Sequence, residues 1–310
     1  MEYHNFRAMN SEIFMAAEGS DPQAGFELAQ ESIEKSEQRF TRFSQESELA
    51  RLNRAAGSWM AVSPDMYNVI ETALDCYRAT LGLFDPTILA DLEKAGYTKS
   101  MDELRVSGAQ PPSNPLIRGN SPAFDRIELR QSDLSILLPL GMRIDLGGIA
   151  KGWIAEQAAR RMEKFTTACG VNAGGDLFLI GTPDGMNAWE VGLEDPRHPG
   201  LDLMVLQVDG GAVATSSVAR RVWQQGNVTR HHLIDPRTGE PAITPWLSVT
   251  TLAPSAAAAE VFAKAILVGG PTMARELVDK NPHITYLAVD QDGKVWIPDD
   301  GQIVQLIIES

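Results

Sequence analysis

The spacing of apolar positions divides the chain into helical and extended stretches. Asp21-Pro22 places a capping acid before a proline at the first helical position. Phe26, Ile33 and Phe40 then recur at heptad spacing, with Ala29 and Phe43 beside them, which predicts a helix with one buried stripe. Ser63-Pro64 repeats the start signal. Met66, Val69, Ile70, Ala73, Leu74, Tyr77 and Leu81 follow as a 3.6-period face ending near Gly82. Residues 151–164 predict a helix with Trp153, Ile154, Ala158 and Met162 on or near one face, and 256–267 and 272–280 predict two more. Residues 127–138 read as two strands around Gln131-Ser132-Asp133, and 177–180, 189–193 and 204–208 as short strands. Residues 284–289, 295–297 and 303–308 make a closing antiparallel set with a turn at Gln291-Asp292-Gly293, and the proline-rich stretch 106–115 is a surface excursion. Helices and strands mix without strict βαβ alternation and without an internal repeat. The predicted fold class is therefore α+β, with mixed or antiparallel sheets flanked by helices.

Composition narrows the function more than the fold. The 310 residues are 44% hydrophobic and 22% charged, enough apolar material for a real core in one large domain or two average ones. A net charge of −14 disfavours nucleic acid and anionic membrane surfaces, since neither would meet a basic patch. A nucleotide cofactor is not disfavoured, because a few N–H groups can hold its phosphates. Cys76 lies in an apolar helical pattern and reads as a buried thiol, and a disulfide with Cys169 has no supporting spacing. Met1-Glu2-Tyr3-His4-Asn5 shows no charged n-region, apolar h-region or lipobox cysteine, and no apolar run reaches bilayer length. The expectation is a soluble protein, cytoplasmic as given and periplasmic if a signal has been removed.

Three polar, glycine-rich blocks carry the chemistry. Asp145-Leu146-Gly147-Gly148-Ile149-Ala150-Lys151-Gly152 reads as a strand-to-helix junction, with glycines that permit close backbone approach and a helix N-terminus that adds partial positive charge. A tight turn without a ligand explains it equally well. Asn172-Ala173-Gly174-Gly175-Asp176 reads as a loop whose N–H groups suit a nucleotide, or as a plain loop before the next strand. His231-His232-Leu233-Ile234-Asp235-Pro236-Arg237-Thr238-Gly239 ends in an ordinary type I or II turn, preceded by paired histidines. Thr215-Ser216-Ser217 reads as a hydroxyl cluster between strands, best explained alone as a turn cap. Residues 43–53 read as a helix end, and Phe84-Asp85-Pro86-Thr87 as a helix-to-turn junction.

In this order, from about Phe6 to Leu267, these blocks resemble the FAD:protein FMN transferases of the ApbE type. The resemblance implies one domain over 1–310 built of two α+β lobes, with FAD in the cleft. It implies cleavage of the FAD pyrophosphate with Mg²⁺, transfer of FMN to a serine or threonine of a target flavoprotein, and release of AMP. Some relatives of this type instead hydrolyse FAD to FMN and AMP. By the same resemblance Met9, Asp145, Lys151, Asn172, Ala173, Gly174, Gly175, Asp176, Ser216 and His232 bind the flavin nucleotide, and His232, Asp235 and Thr215 are the catalytic candidates. The family's Thr-Ser-Gly appears with Ser217 in place of glycine, and its Ala-Met-Gly-Thr appears as Ala8-Met9-Asn10-Ser11. The family's magnesium ligands, an Asp and a Thr one helical turn apart, are replaced by Glu260 and Lys264. Glu260 and Ala150 then stand as the metal candidates, with Lys264 where a ligand is expected. An FAD-binding protein without the metal and an FAD pyrophosphatase are the alternative readings. Oligomeric state is left open.

Overall fold

The protein is described by a computed structural model. It covers all residues except 102, 105–122, 226–227, 300–301 and 307–310, with the backbone alone for 302–306. The excursion expected at 106–115 lies outside the described residues, as do the last residues of the strand expected at 303–308. The chain divides into two compact units: residues 1–35, 151–219 and 244–310 form the first, and residues 36–150 and 220–243 the second.

The first unit is built on a nine-stranded sheet whose strand order follows the chain. Its strands are β1 (Glu2–Ala8), β2 (Ser11–Gly19), β3 (Thr166–Ala173), β4 (Asp176–Ile180), β5 (Gly211–Ser217), β6 (Trp246–Ala253), β7 (Thr285–Asp290), β8 (Val295–Asp299) and β9 (Gln302–Leu306). Every neighbouring pair is antiparallel. Only β1–β2, β3–β4, β7–β8 and β8–β9 are joined by short turns; the other neighbours are linked by long excursions, among them residues 20–165 between β2 and β3. Alternation along the strands sends Ile13, Met15, Cys169, Val171 and Ala173 to one buried face. The other face packs Ala16, Ala168, Leu179 and Val213 against Trp189, Val191 and Val208 of a two-stranded hairpin, Trp189–Glu194 with Asp202–Val208.

Three helices accompany this sheet: α1 (Pro22–Phe40), which begins in the first unit, α2 (Ala150–Met162) and α3 (Ala256–Lys280). The heptad positions Phe26, Ile33 and Phe40 of α1 are all buried. Phe43 is not: the helix ends at Phe40, and Phe43 lies beyond it, 39% exposed. The two helices expected at 256–267 and 272–280 are one run broken at Gly270, whose φ of 68° and ψ of −172° are non-helical just before Pro271. By length and composition α3 would suffice to cross a membrane, which corrects the expectation that no stretch is long enough. It is nonetheless a core helix, with 67% of its apolar stretch buried.

Helices α2 and α3 cap one another. The first N–H groups of a helix lack partners within it. Here Gly152 N–H, in the first turn of α2, donates to Glu260 Oε2 of α3 at 2.9 Å, and Ala256 N–H, at the start of α3, donates to Glu156 Oε2 of α2 at 2.9 Å. Each helix thus supplies an acid to the positive end of the other. The approach requires Gly152, because a Cβ there would collide with the carbonyl of Ala256.

The second unit holds a helix at Pro64–Ala79, capped by Ser63 as expected, with Met66, Val69, Ile70, Ala73 and Leu74 buried. Leu81 falls past the helix end and is exposed. A three-stranded sheet places Ser135–Leu137 between Trp59–Ala61 and Glu128–Arg130. Residues 43–53 are not a helix end: a loop leads to Ser47, which caps a new helix at Glu48–Arg54. Leu92, Ala95, Trp223 and Ile234 form a local core, and Trp223 Nε1 donates to the carbonyl of Ala95 at 2.8 Å. Cys76 and Cys169 are both buried, and neither forms a disulfide.

Candidate functional site

Within the first unit, four sequence-predicted segments meet at one end of the sheet. The β1–β2 turn consists of Met9 and Asn10, with φ values of 53° and 54°. The β3–β4 turn consists of Gly174 and Gly175, with φ values of 69° and 99°. Two consecutive left-handed residues are what a two-residue hairpin turn demands. Asn and Gly accept that conformation, whereas Met9 pays roughly 1–2 kcal/mol for it. The two turns touch, since a Cβ on Gly174 would sit 2.6 Å from Ser11 Oγ. Nothing lies within 4 Å of a Cβ built on Gly175, so one side of this turn opens to space. Asn172 and Ala173 belong to the end of β3 rather than to a loop. Asn172 Oδ1 accepts the Gly175 N–H at 2.8 Å, and Ala173 is fully buried and offers only its backbone.

Thr215, Ser216 and Ser217 lie inside β5, not between strands. Thr215 N–H donates to the Gly175 carbonyl at 3.1 Å, which joins this strand end to the glycine turn. Thr215 Oγ1 and Thr250 Oγ1 share a hydrogen bond of 2.8 Å across the β5–β6 pair. Ser217 does cap a turn, as its plain reading held: Oγ accepts the Ala219 N–H at 3.1 Å and donates to the Leu247 carbonyl at 3.0 Å.

A four-charge cluster stands beside the glycine turn. Asp176, the first residue of β4, pairs with Lys151 of α2. Lys151 Nζ also lies 3.3 Å from Glu260 Oε1, and Lys264 Nζ approaches the same oxygen at 3.6 Å. Both carboxylate side chains are 2–3% exposed, and both lysine side chains 14–16%. Burial alone would raise the Glu260 pKa; the Lys151 and Lys264 charges and the Gly152 N–H outweigh it and hold the carboxyl below its ordinary value. Two carboxylates and two ammoniums make a formally neutral buried set.

The second unit carries the remaining candidates. Asp145 accepts the Gly147 N–H at 3.1 Å and pairs with Arg42 at 3.2 Å. Residues 142–146 form no strand, although Asp145 N–H donates to the Pro86 carbonyl at 2.8 Å, so the Gly147-Gly148 turn joins an irregular segment to a helix rather than a strand to a helix. Arg42, which no sequence pattern marked, lies 4.4 Å from the Phe43 ring centroid and 4.7 Å from that of Tyr97. Its guanidinium fixes the Asp145 carboxylate.

The paired histidines separate into two environments. His231 closes the short strand Val228–His231. Its Nδ1 accepts the Leu233 N–H at 3.3 Å and its Nε2 donates to the Ala242 carbonyl at 3.2 Å, which assigns the neutral Nε2–H tautomer. Burial lowers its pKa, against the raising effect of the Ala242 carbonyl. His232 follows in the bend and is half-buried, with Nδ1 turned away from solvent. Asp235 begins the Asp-Pro-Arg-Thr-Gly turn and accepts from Arg237 three times: backbone N–H at 2.9 Å, Nε at 2.8 Å and Nη2 at 2.7 Å. Burial raises its pKa, and the Arg237 contacts more than reverse this. Its two oxygens are engaged in shaping the turn.

The ApbE family profile matches residues 9–288. The chain belongs to the ApbE family. A relative from Treponema pallidum named FAD:protein FMN transferase is 30% identical over 268 residues, covering 81% of this chain and 72% of its own length. One of the same name from Haemophilus influenzae is 26% identical over 259 residues, covering 81% and 74%. Among solved structures, an ApbE protein of Thermotoga maritima superposes with a TM-score of 0.79 at 26% identity, covering 95% of this chain and 96% of that one. The flavin transferase ApbE of Vibrio cholerae gives 0.78 at 20% identity, covering 98% and 96%, and shows the same fold. The predicted α+β class holds.

The magnesium ion implied by the resemblance does not suit the residues at its expected register. A Mg²⁺ ion needs near-octahedral oxygen ligands at about 2.0–2.1 Å. Glu260 already directs Oε2 to Gly152 N–H and Oε1 to two ammoniums. Ala150 has no side-chain donor. Among the described residues no group of three or more His, Cys, Asp or Glu side chains is placed to hold a metal ion.

Proposed function

We propose that this chain is a FAD:protein FMN transferase, which cleaves the FAD pyrophosphate, attaches FMN to a serine or threonine of a target flavoprotein and releases AMP. The observation that carries the reading is the family match across residues 9–288. The activity for which these relatives are named and the phosphate-compatible backbone at Gly174-Gly175 support it. In this reading the two units are lobes of one domain spanning 1–310.

The residue roles follow from chemistry. The pyrophosphate lies along the open side of the Gly174-Gly175 turn, with Asn172 shaping that turn, Met9 in the neighbouring β1–β2 turn, and Lys151 supplying positive charge beside Asp176. Thr215 and Ser216 line the same end of the sheet and hydrogen-bond the nucleotide. Asp145, fixed by Arg42, contributes to the nucleotide wall. An acceptor hydroxyl oxygen attacks the phosphorus of the FMN half, the P–O bond to AMP breaks, and AMP leaves with the electron pair. The hydroxyl proton passes to His232, whose imidazole is suited to that transfer near neutral pH. Asp235 holds the turn that presents His232, acting as a positioning residue.

Calorimetric titration of the protein with FAD and with riboflavin tests the site. FAD is expected to bind at least about tenfold more tightly, a difference on the order of 1.4 kcal/mol. Incubation with FAD and a flavoprotein bearing a serine or threonine acceptor should then yield a fluorescent, FMN-bearing acceptor and free AMP. Equal affinity for FAD and riboflavin, or no AMP with acceptor present, would sink the reading.

A further inference from the structure

The four-charge cluster does more than fail to suit a metal ion. We propose that the ammonium of Lys264, held by Glu260 and backed by Lys151, takes the electrostatic place of a divalent cation beside the FAD pyrophosphate, so that this chain binds and cleaves FAD without Mg²⁺. The proposal rests on the transferase reading and deepens it.

Three observations converge. First, position: Asp176 directly follows the Gly174-Gly175 turn, and Lys151 bridges Asp176 to Glu260, so the cluster is continuous with the backbone that suits phosphate. Second, occupancy: Lys264 reaches back one helical turn to Glu260, 3.6 Å from Oε1 and 3.5 Å from the backbone carbonyl. Its amine lies against the oxygens that a cation at this register would need. Third, charge: Lys151 and Lys264 already balance Asp176 and Glu260, so the two carboxylates keep no net negative charge with which to hold a divalent ion. The two ammoniums, 14–16% exposed where the carboxylates are 2–3%, are the members of this neutral set that can still donate to a phosphate oxygen.

The chemistry balances without a metal. As the P–O bond to AMP breaks, negative charge grows on the bridging and non-bridging oxygens. A fixed ammonium donates hydrogen bonds to that charge, the role electrostatic preorganisation assigns to any positioned cation. No bond to Lys264 forms or breaks.

The test measures metal and flavin separately. Titration of the wild type with Mn²⁺, followed by electron paramagnetic resonance, should show no saturable site, with or without FAD. FAD affinity and AMP release should be the same in excess EDTA as in excess Mg²⁺. Lys264→Met, which keeps the apolar stem, should lose about tenfold or more in FAD affinity with riboflavin affinity unchanged, and Lys264→Arg should retain most of it. Lys264→Thr should gain a saturable Mn²⁺ site. Wild-type FAD binding or cleavage that rises about tenfold or more with Mg²⁺ overturns the proposal and leaves the transferase reading standing. So does a Lys264→Met variant that binds FAD like the wild type. A wild type that binds no FAD under any condition overturns both. The wild-type arms decide the matter even where Lys264→Met fails to fold.

Discussion

Glu260 and Asp235 are both largely buried carboxylates that accept a backbone N–H and pair with cations, but they are held in opposite ways. Asp235 takes all three of its Arg237 contacts from a residue two positions along the chain, inside one turn. Glu260 takes its N–H from Gly152, 108 residues away, and its charges from Lys151 on another helix and Lys264 one turn along its own. The first is a local device, closed within one turn of the chain. The second exists only when α2, α3 and β4 have assembled. Where a carboxylate's partners come from thus indicates what its loss should do: a tertiary cluster couples stability to the site, and a local turn shapes one loop.

The largest effect should come from breaking the tertiary cluster. Glu260→Ala leaves the Lys264 ammonium without its carboxylate, strips Lys151 of one of two, and orphans the Gly152 N–H at the start of α2. Removing one partner of a buried ion pair typically costs about 3–5 kcal/mol. Urea unfolding should show a loss in that range. Glu260→Gln, which keeps an acceptor for Gly152, should recover part of it. A loss below about 1 kcal/mol for Glu260→Ala would mean that the cluster is solvated in solution and that the contrast with Asp235 is false.

The histidine pair sharpens the comparison within one short segment. His232→Gln should lower FAD turnover by at least about tenfold, on the order of 1.4 kcal/mol, through loss of the proton acceptor. His231→Gln should leave turnover close to wild type, because glutamine can donate to the Ala242 carbonyl and accept from the Leu233 N–H. His231 also predicts a pH effect on stability. Its folded-state pKa lies below the ordinary value of 6.5, so the unfolded chain binds its proton first as pH falls. Its contribution is complete above about 6.5 and declines as pH drops from there toward the folded value. The melting temperature of the wild type should therefore fall more steeply than that of His231→Gln between neutral pH and mild acid. Parallel profiles, or a turnover loss confined to His231→Gln, would reverse the assignment.

The sequence made the local devices legible and hid the tertiary ones. Asp21-Pro22 and Ser63-Pro64 marked helix starts because an N-cap is a contact between near neighbours. The Asp-Pro-Arg-Thr-Gly turn could be read for the same reason. Glycine spacing located the Gly174-Gly175 turn, but not the contact with Ser11 that makes Gly174 obligatory. Lys264 was conspicuous only by register; nothing in its neighbours foretold that Glu260 would be shared with Lys151 and Gly152. The reciprocal capping of α2 and α3 by Glu260 and Glu156 was equally invisible, since its partners are 100 or more residues apart. Thr215 to Ser217 looked like loop because three hydroxyls suit a turn, yet the cross-strand Thr250 and the Leu247 carbonyl satisfy two of them inside a sheet. Phe43 and Leu81 continued an apolar period one step past helices that had already ended, and so pointed to burial that does not occur.

The smallest effect should come from the local turn. Arg237→Ala removes a bidentate partner from Asp235, but the arginine side chain is 52% exposed, so solvent screens much of the attraction. Asp235 keeps the N–H of residue 237 as a donor, and the turn keeps its bonds from Thr238 and Gly239 N–H to the Asp235 carbonyl at 3.1 and 2.8 Å. Stability should fall by less than about 1 kcal/mol, the range of exposed ion pairs. Turnover should fall modestly, because the half-freed Asp235 carboxylate no longer fixes the loop that presents His232. Asp235→Asn should behave similarly, since the amide oxygen still accepts the N–H of residue 237. The pair of variants separates positioning from proton transfer: if Asp235 itself took the acceptor's proton, Asp235→Asn would lose at least as much turnover as His232→Gln while Arg237→Ala stayed close to wild type. Steady-state rates of AMP release for the three variants, measured at one pH with FAD in excess, decide between those outcomes.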